Sequence, residues 1–382
     1  MKQWFPHYYS DFQCIGSACQ DNCCIGWEIG IDAETLKFYR QVPGALGQKL
    51  AQNISTQTPA HFLLTQKNRC PFLTDQNLCQ IHTDLGESHL CTICAEHPRF
   101  HNWFGTEKET GLGLCCEEAA RLILFSSTPL SLVCHQTNQP DDPHTAVDSE
   151  LLDALRAVRQ AAFTICNTSV LSLPHRLALL VSLAQDLQNW FSQAEDNPDL
   201  SPTEFCIQAC FSLADFYSDT DCYPSLIQQL SGAIAPNPSP ALLQDLLQFH
   251  CTLSANDSAW HDRLKQISDA LCQFQGWSIP QNLELPLQNI SSYFLYRYFL
   301  SAAVQGDILG GVLPSVIATL VIALLAQDTL ASTGTLTPEQ QVQNAKAYSK
   351  EVEYSPENLK RLNDAIWSAD FLSPMALIAC LL

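Results

Sequence analysis

A chain of 382 residues, 46% of them hydrophobic, can bury a large core in about two or three domains, which excludes a disordered protein. Its formal charge of −20 is concentrated in residues 136–290, where 5 basic side chains face 18 acidic ones. Phosphate-backbone binding needs clustered Lys and Arg, so nucleic acid is excluded as a partner and the acidic middle reads as a solvated face.

Taken in chain order, the N-terminus MKQWFPHYYSDFQC has no apolar run after Lys2 and no small-residue cleavage site. No secretory signal is read there, and a cytoplasmic, reducing setting is expected. Residues 1–125 read as a cysteine-rich, irregular metal-binding module with short helices, because Gly, Asn, Asp and Pro recur and no long apolar period is sustained. Within it Ile25–Ile31 is expected to form a short strand, Asp32 to cap a helix through Tyr39, and Glu117–Phe125 to form a helix. Cys70 and Cys79 flank the polar turn Thr74–Asn77, which would bring two thiols back toward each other.

Residues 148–382 read as an all-helical body, so the fold class expected is mainly α. Apolar spacing predicts helices over Leu151–Phe163, Arg176–Trp190, Ala241–Leu253, Ile290–Val304 and Leu359–Trp367. Ser201, Ser239, Thr337 and Ser355, each followed by Pro, mark helix starts; Ser201 and Thr337 add Glu204 and Gln340 three positions on. Residues 136–147 and 232–240 read as linkers. Ile308–Ala326 carries no charge over 19 residues, enough to span a bilayer. Gly310, Gly311 and Pro314 interrupt it and no Lys or Arg flanks it, so a buried helix pair with a core helix starting near Pro314 is expected, and no membrane. The C-terminal FLSPMALIACLL should pack as a last helix.

Ten of the 18 cysteines lie between Cys14 and Cys116. Such a density is a disulfide framework or a soft-metal site, and reducing conditions favour the metal. The spacing C-x4-C-x3-C-C is not that of a zinc finger, and Cys91-x2-Cys94 is the one CxxC pair in the module, so iron–sulfur ligation fits better than a zinc ribbon. Gly26 stands where a third cysteine would complete the radical-enzyme triad after Cys19 and Cys23. His82 and His97 sit nearest to cysteines among the module's histidines. The scattered Cys166, Cys206, Cys272 and Cys380 read as packing residues. No phosphate-cradling GxxxxGK[ST] or GxGxxG loop is present.

The runs FQCIGSACQDNCCIGWEIGID, RCPFLTDQNLCQIH, CTICAEHPRF and LGLCCEEAARLIL, with LQNISSYFLYRYF and AYSKEVEYSPENL further on, resemble the flagellin lysine-N-methylase family. These are FliB-like proteins within the CxxCxxCC zinc- or iron-chelating superfamily. The resemblance implies S-adenosyl-L-methionine-dependent methylation of lysine ε-amines, flagellin as the protein substrate and a [4Fe–4S] cluster, with zinc the alternative metal. Carried over residue by residue, it assigns metal ligation to Cys14, Cys19, Cys23, Cys24, Cys70, Cys79, Cys94 and Cys116, and leaves Cys91 and Cys115 as additions. The chain departs from the family's pattern at Gln288-Asn289, Ser349-Lys350, Glu353 and Tyr354. A base must take the lysine proton; by residue type Glu353, Tyr354, Glu28 and Tyr39 qualify.

Overall fold

The computed structural model describes residues 1–20, 22–26, 28–137, 147–196, 201–234, 240–271, 279 and 281–382. Ser239, Cys272 and residues 138–146 and 235–239 of the two expected linkers lie outside them. The protein is mostly helical, 67% of it, with a small sheet. It divides into two compact units interleaved in sequence: Met1–Ser10, His101–Gly111 and Arg121–Leu382 form the larger, helical body, and Asp11–Phe100 with Leu112–Ala120 form the cysteine unit.

In the cysteine unit four short helices, α1 (Ala33–Tyr39), α2 (Gly44–Asn53), α3 (Gln80–Leu85) and α4 (Thr92–Glu96), are joined by turns. Asp32 caps α1 as expected, its Oδ1 accepting the Thr35 N–H at 2.9 Å. Among the described residues of Ile25–Ile31 the expected strand does not form. Isolated antiparallel bridges, Ile25 with Arg69 and Gly30 with His61, take its place. Gly26, at φ 83°, turns the chain into the left-handed region and ends the extended run. The core is small and mixed: Ile29, Ile31, Tyr39, Leu50, Phe62, Phe72 and Ile81 pack with the buried Cys24, Cys70 and Cys91.

The elements described over residues 148–382 are all helices, as expected, and the sheet is built from strands within residues 2–136, which were read as irregular or linking chain. Strands β1 (Lys2–Pro6), β2 (Arg99–Phe104), β3 (Glu107–Leu112) and β4 (Leu132–Gln136) lie in the order β2-β3-β1-β4. β1 runs parallel to β3, with Lys2 opposite Glu107, and antiparallel to β4, with Lys2 opposite Gln136. Each strand is short, and although β2 and β3 follow one another directly, the partners of β1 lie more than a hundred residues away in sequence, so local periodicity does not announce them. β3 is buried along its whole length. There Glu109 accepts two hydrogen bonds from Arg159, at 2.7 and 2.6 Å, and both side chains are out of solvent. Removing one partner of such a pair strands the other charge.

The helices of the chain continue with α5 (Glu117–Leu124), α6 (Ser149–Asn167), α7 (Leu173–Asp196), α8 (Pro202–Ser218), α9 (Tyr223–Ala233), α10 (Pro240–Thr252) and α11 (Ser258–Leu271). They are followed by α12 (Glu284–Ala303), α13 (Ile308–Thr333), α14 (Pro338–Tyr348), α15 (Pro356–Ser368) and α16 (Pro374–Leu381). Every helix expected from apolar spacing is found, α12 starting six residues before its expected Ile290. At Thr337 the capping box forms, with Gln340 N–H on Thr337 Oγ1 and Thr337 N–H on Gln340 Oε1. Ser355 caps α15, whereas Ser201 makes no capping hydrogen bond through its side chain.

The Ile308–Ala326 run is one helix rather than a pair, and α13 starts at Ile308 instead of near Pro314. Asp307 permits the earlier start: its Oδ1 accepts the Gly310 N–H at 2.9 Å. A Cβ on Gly310 would collide with Asp307 Oδ2 and Asn363 Oδ1, so the absent side chain leaves room for the cap. By length and composition α13 could cross a membrane. Its side chains from Ile308 to Ala326 are instead almost all buried within the body. The packing residues Cys166, Cys206 and Cys380 are buried as expected.

Candidate functional site

Two places gather chemistry. The first is the thiol neighbourhood of the cysteine unit. Bridge Ile25–Arg69 brings Cys24 beside Cys70, whose N–H donates to the Cys24 carbonyl at 2.7 Å. The turn expected at Thr74–Asn77 forms, with Asn77 at φ 57°, and returns the chain so that Cys79 bridges Leu73. Cys91 stands at the N-cap of α4, and the Cys94 N–H bonds back to its carbonyl at 2.9 Å. Asp32 fixes that cap from across the unit, its Oδ2 accepting the Thr92 N–H at 2.9 Å and the Thr92 hydroxyl at 3.0 Å. Those bonds hold the Asp32 carboxyl below the usual carboxylate range.

The sulfurs themselves interact. Neighbouring thiols, Cys23 and then Cys70, push the Cys24 pKa up, and Cys91 does the same to Cys94, with burial adding to both rises, while Cys70 and Cys91 are lowered by Cys24 and Cys94. Cys79 feels Cys70 and Cys23, and its thiol is pushed up chiefly by burial. Burial lifts Cys116 to about 11, with the charges of Cys23 and Cys14 adding to it. Cys19 Sγ lies 3.7 Å from Glu117 Oε2. Seven of the eight expected ligands thus share one electrostatic neighbourhood, in which Cys23 acts on Cys24, Cys70, Cys79, Cys94 and Cys116. Cys91, set aside in the sequence reading, belongs to the same neighbourhood through Cys94; its CxxC spacing was the signal for it. Cys115 is buried beside Cys116 in sequence.

Among the described residues no three His, Cys, Asp or Glu side chains are gathered as a metal-holding group. The donor set still has the chemistry of a soft-metal centre: sulfur donors only, several of them buried, two of them made more acidic by a neighbouring thiol.

The second place lies in the helical body, where LQNISSYFLYRYF and AYSKEVEYSPENL meet. α14 runs on into a π-helical turn, Ser349–Glu353, in which the Tyr354 N–H reaches the Ser349 carbonyl at 2.9 Å. Such widened turns often mark functional positions. The turn swings Glu353 inward until its side chain is fully buried, facing α12. There Tyr293 donates to Glu353 Oε1 at 2.7 Å and Tyr298 at 3.2 Å, while Ser349 donates to Oε2. Arg297, one helical turn beyond Tyr293, places Nη1 3.1 Å from Glu353 Oε1, 2.7 Å from the Tyr293 hydroxyl and 3.2 Å from that of Tyr354. Its guanidinium lies over the rings of Tyr354 and Tyr298, 4.7 and 5.4 Å from their centroids. Burial holds the phenols of Tyr293 and Tyr298 far above their ordinary pKa, so both stay protonated.

Beside this network lies a small cleft with an accessible volume of about 10 Å³, room for about one water, lined by His7, Tyr8, Ile123, Ser126, Thr128, Leu130, Asn289, Ser292 and Tyr293. Asn289, Ser292 and Tyr293 reach it from one face of α12, at spacings of three and four residues. Asn289 Nδ2 is held by the Leu124 and Ser126 carbonyls, at 3.0 and 2.9 Å. His7 Nε2 is 3.0 Å from Ser126 Oγ and 3.1 Å from Thr128 Oγ1. Of the four bases that residue type suggested, Glu353 and Tyr354 come together here. Glu28 is exposed, and Tyr39 spends its hydroxyl on the His89 carbonyl at 2.8 Å. Arg297, Tyr293 and Tyr298 were not foreseen, because nothing in the α12 sequence tells an aromatic core stripe from an ionic network.

Comparison with known proteins places residues 159–380 under the family described as the FliB lysine N-methylase C-terminal domain. Lysine-N-methylases of Salmonella choleraesuis (strain SC-B67) and Salmonella typhimurium (strain LT2) are each 30% identical over 141 residues, 33% of this chain and 33% of theirs. The flagellar biosynthetic protein FliU of Salmonella muenchen is 31% identical over 134 residues, 33% of this chain and 79% of its own length. The aligned part thus spans about a third of the two lysine-N-methylases. No solved structure matches.

Proposed function

The chain belongs to the FliB lysine N-methylase family, and from that premise we propose that it is an S-adenosyl-L-methionine-dependent protein lysine N-methyltransferase whose substrate is flagellin. The single observation that carries the reading is the family match over residues 159–380, which encloses both segments that meet at Glu353. The names of the relatives, lysine-N-methylase and flagellar biosynthetic protein, support the reaction and a flagellar substrate.

The methyl donor would supply an electrophilic methyl group on a sulfonium. What the protein must do is present a lysine as a neutral amine, although the ammonium has a pKa near 10.4. A dry surrounding that penalises charge and an acceptor for the proton both serve this. In the helical body Glu353 is an acceptor of that kind, kept in place by two phenols, the Ser349 hydroxyl and Arg297.

The cysteine unit is proposed to carry a [4Fe–4S] cluster, with zinc the alternative, drawing on Cys14, Cys19, Cys23, Cys24, Cys70, Cys79, Cys94 and Cys116. The electrostatic neighbourhood of these thiols supports it, as does the thiol-rich chemistry of the proposed CxxCxxCC superfamily. When bound, the group would neutralise clustered thiolates and tie short helices together. A cytoplasmic location would keep those thiols reduced.

The test is to purify the protein without oxygen, determine its metal and sulfide, and incubate it with flagellin and S-adenosyl-L-methionine carrying a labelled methyl group. Label on flagellin lysines, located by mass spectrometry, is expected. A folded, metal-loaded protein that transfers no methyl group would replace this reading with a metal-chelating protein lacking methyltransferase activity.

A further inference from the structure

Between Arg176 and Arg263 the chain runs for 86 residues without a lysine or arginine, and 11 of those residues are aspartate or glutamate. Helix α8 lies in the middle of this stretch. It turns Cys206, Ala209, Cys210, Ala214 and Tyr217 inward, and the helices it packs on are α6 and α7. At about 100° per residue, Glu204, Gln208, Phe211 and Asp215 form one stripe on the outward side, with Phe205, Ser212 and Phe216 in a second stripe beside it. Phe205 is half-buried and the others are exposed, Phe211 to 50% and Phe216 to 47%. Trp190 of α7, 40% exposed, extends the patch, its ring centroid 5.5 Å from that of Phe205. Asp219 and Asp221, just past the end of α8, are exposed as well.

A solvated acidic face needs charge but no exposed rings. Aromatic side chains gathered on one helix face and rimmed by polar groups are the composition of a docking surface. The sign of the charge selects what can dock there. A second copy of this chain would bring the same acidic helices, and phosphates of lipid or nucleic acid would be repelled. A lysine side chain suits both parts of the face: its aliphatic stem lies along a phenylalanine, and its ammonium meets a ring face or a carboxylate.

Resting on the methyltransferase reading, we infer that the outward face of α8 docks a lysine-rich segment of the substrate protein. Docking adds no chemical step. It raises the local concentration of substrate lysines, so its loss falls on KM rather than on kcat.

The test titrates monomeric flagellin into the full, metal-loaded chain by calorimetry and follows methyl transfer to it in parallel. Binding is expected, weakened at least about tenfold by Gln208→Lys with Asp215→Lys and again by Phe211→Ser with Phe216→Ser, with KM raised to match and kcat little changed. All four side chains are exposed, so these changes require no repacking of the core. Asp215→Glu is expected to bind as the unmodified chain does. Raising salt from about 0.05 to 0.3 M should weaken binding by the unmodified chain more than by the charge-reversed one. Unchanged binding and KM in both double variants overturns the inference and leaves the methyltransferase reading standing. Failure of the unmodified chain to bind flagellin overturns it too. Flagellin binding that both variants weaken, without any methyl transfer, keeps the docking face and rejects the methyltransferase reading instead. A dimer in sedimentation that Phe211→Ser with Phe216→Ser dissolves would make a second copy the occupant and overturn the inference.

Discussion

The cysteine unit and the helical body solve the problem of staying folded in different ways. The body buries long helices: α13 is covered along most of its 26 residues, and α12, with 20, packs as fully. The cysteine unit has helices of 5 to 10 residues, too short to persist on their own, and three of its ten fully buried core residues are cysteines. Apolar area stabilises the first. The second depends on cross-links between turns, made by Asp32 reaching from α1 to α4 and by the proposed metal. Units stabilised so differently should fail under different treatments.

The largest effect that would sharpen the contrast is metal removal. Anaerobic chelation should abolish amide-exchange protection throughout the cysteine unit while α12 and α13 keep theirs. Equal protection in both units after chelation would break the comparison. Next, Glu109→Ala in the body should cost about 3–5 kcal/mol in denaturant unfolding, because Arg159 is left charged and buried, and Arg159→Met added to it should recover much of the loss.

His250 in α10 supplies a pH test of the body alone. Burial depresses its pKa to about 4, so the folded state holds it neutral where an unfolded chain near 6.5 would protonate it. The contribution is therefore fully present above about pH 6.5 and is lost as pH falls toward 4, by roughly 3 kcal/mol. Denaturation midpoints measured across that window should show the decline in the wild-type protein and a smaller one in His250→Leu. The smallest expected changes are at caps. Asp32→Ala should cost about 1–2 kcal/mol, since it serves α1 and α4 together. Thr337→Ala should cost about 1 kcal/mol. Because the native environment lowers the Asp32 pKa, its contribution is present above about pH 4 and disappears as the solution is acidified further.

Much of the body was legible in the chain because helices write themselves locally. Pro after a capping hydroxyl and apolar residues at helical spacing announced α10 and α15 within a few residues of their ends, the start of α14 and all but the first two turns of α12. The sheet was not legible: β1 pairs with residues near 107 and 136, and no local pattern encodes a partner that far away. At Pro314 a rule that is sound on average failed, because Asp307 and a side-chain-free Gly310 let α13 begin six residues earlier. In the cysteine unit the turn between Cys70 and Cys79 could be read from its polar residues, yet the strand expected over Ile25–Ile31 dissolved into single bridges.

By itself the sequence determined where the thiols are dense, which segments are helical and which family motifs are present, since all three depend on residue type and short spacing. Tertiary structure decided what those residues meet. It put Cys91 with Cys94 in the shared thiol neighbourhood, and it set Tyr293, Arg297 and Tyr298 of α12 against Glu353 of a π-helical turn some 55 to 60 residues away. The reason is physical: a phenol on a helix looks the same in sequence whether it packs or joins an ionic network. The difference lies in the carboxylate and guanidinium that folding places beside it.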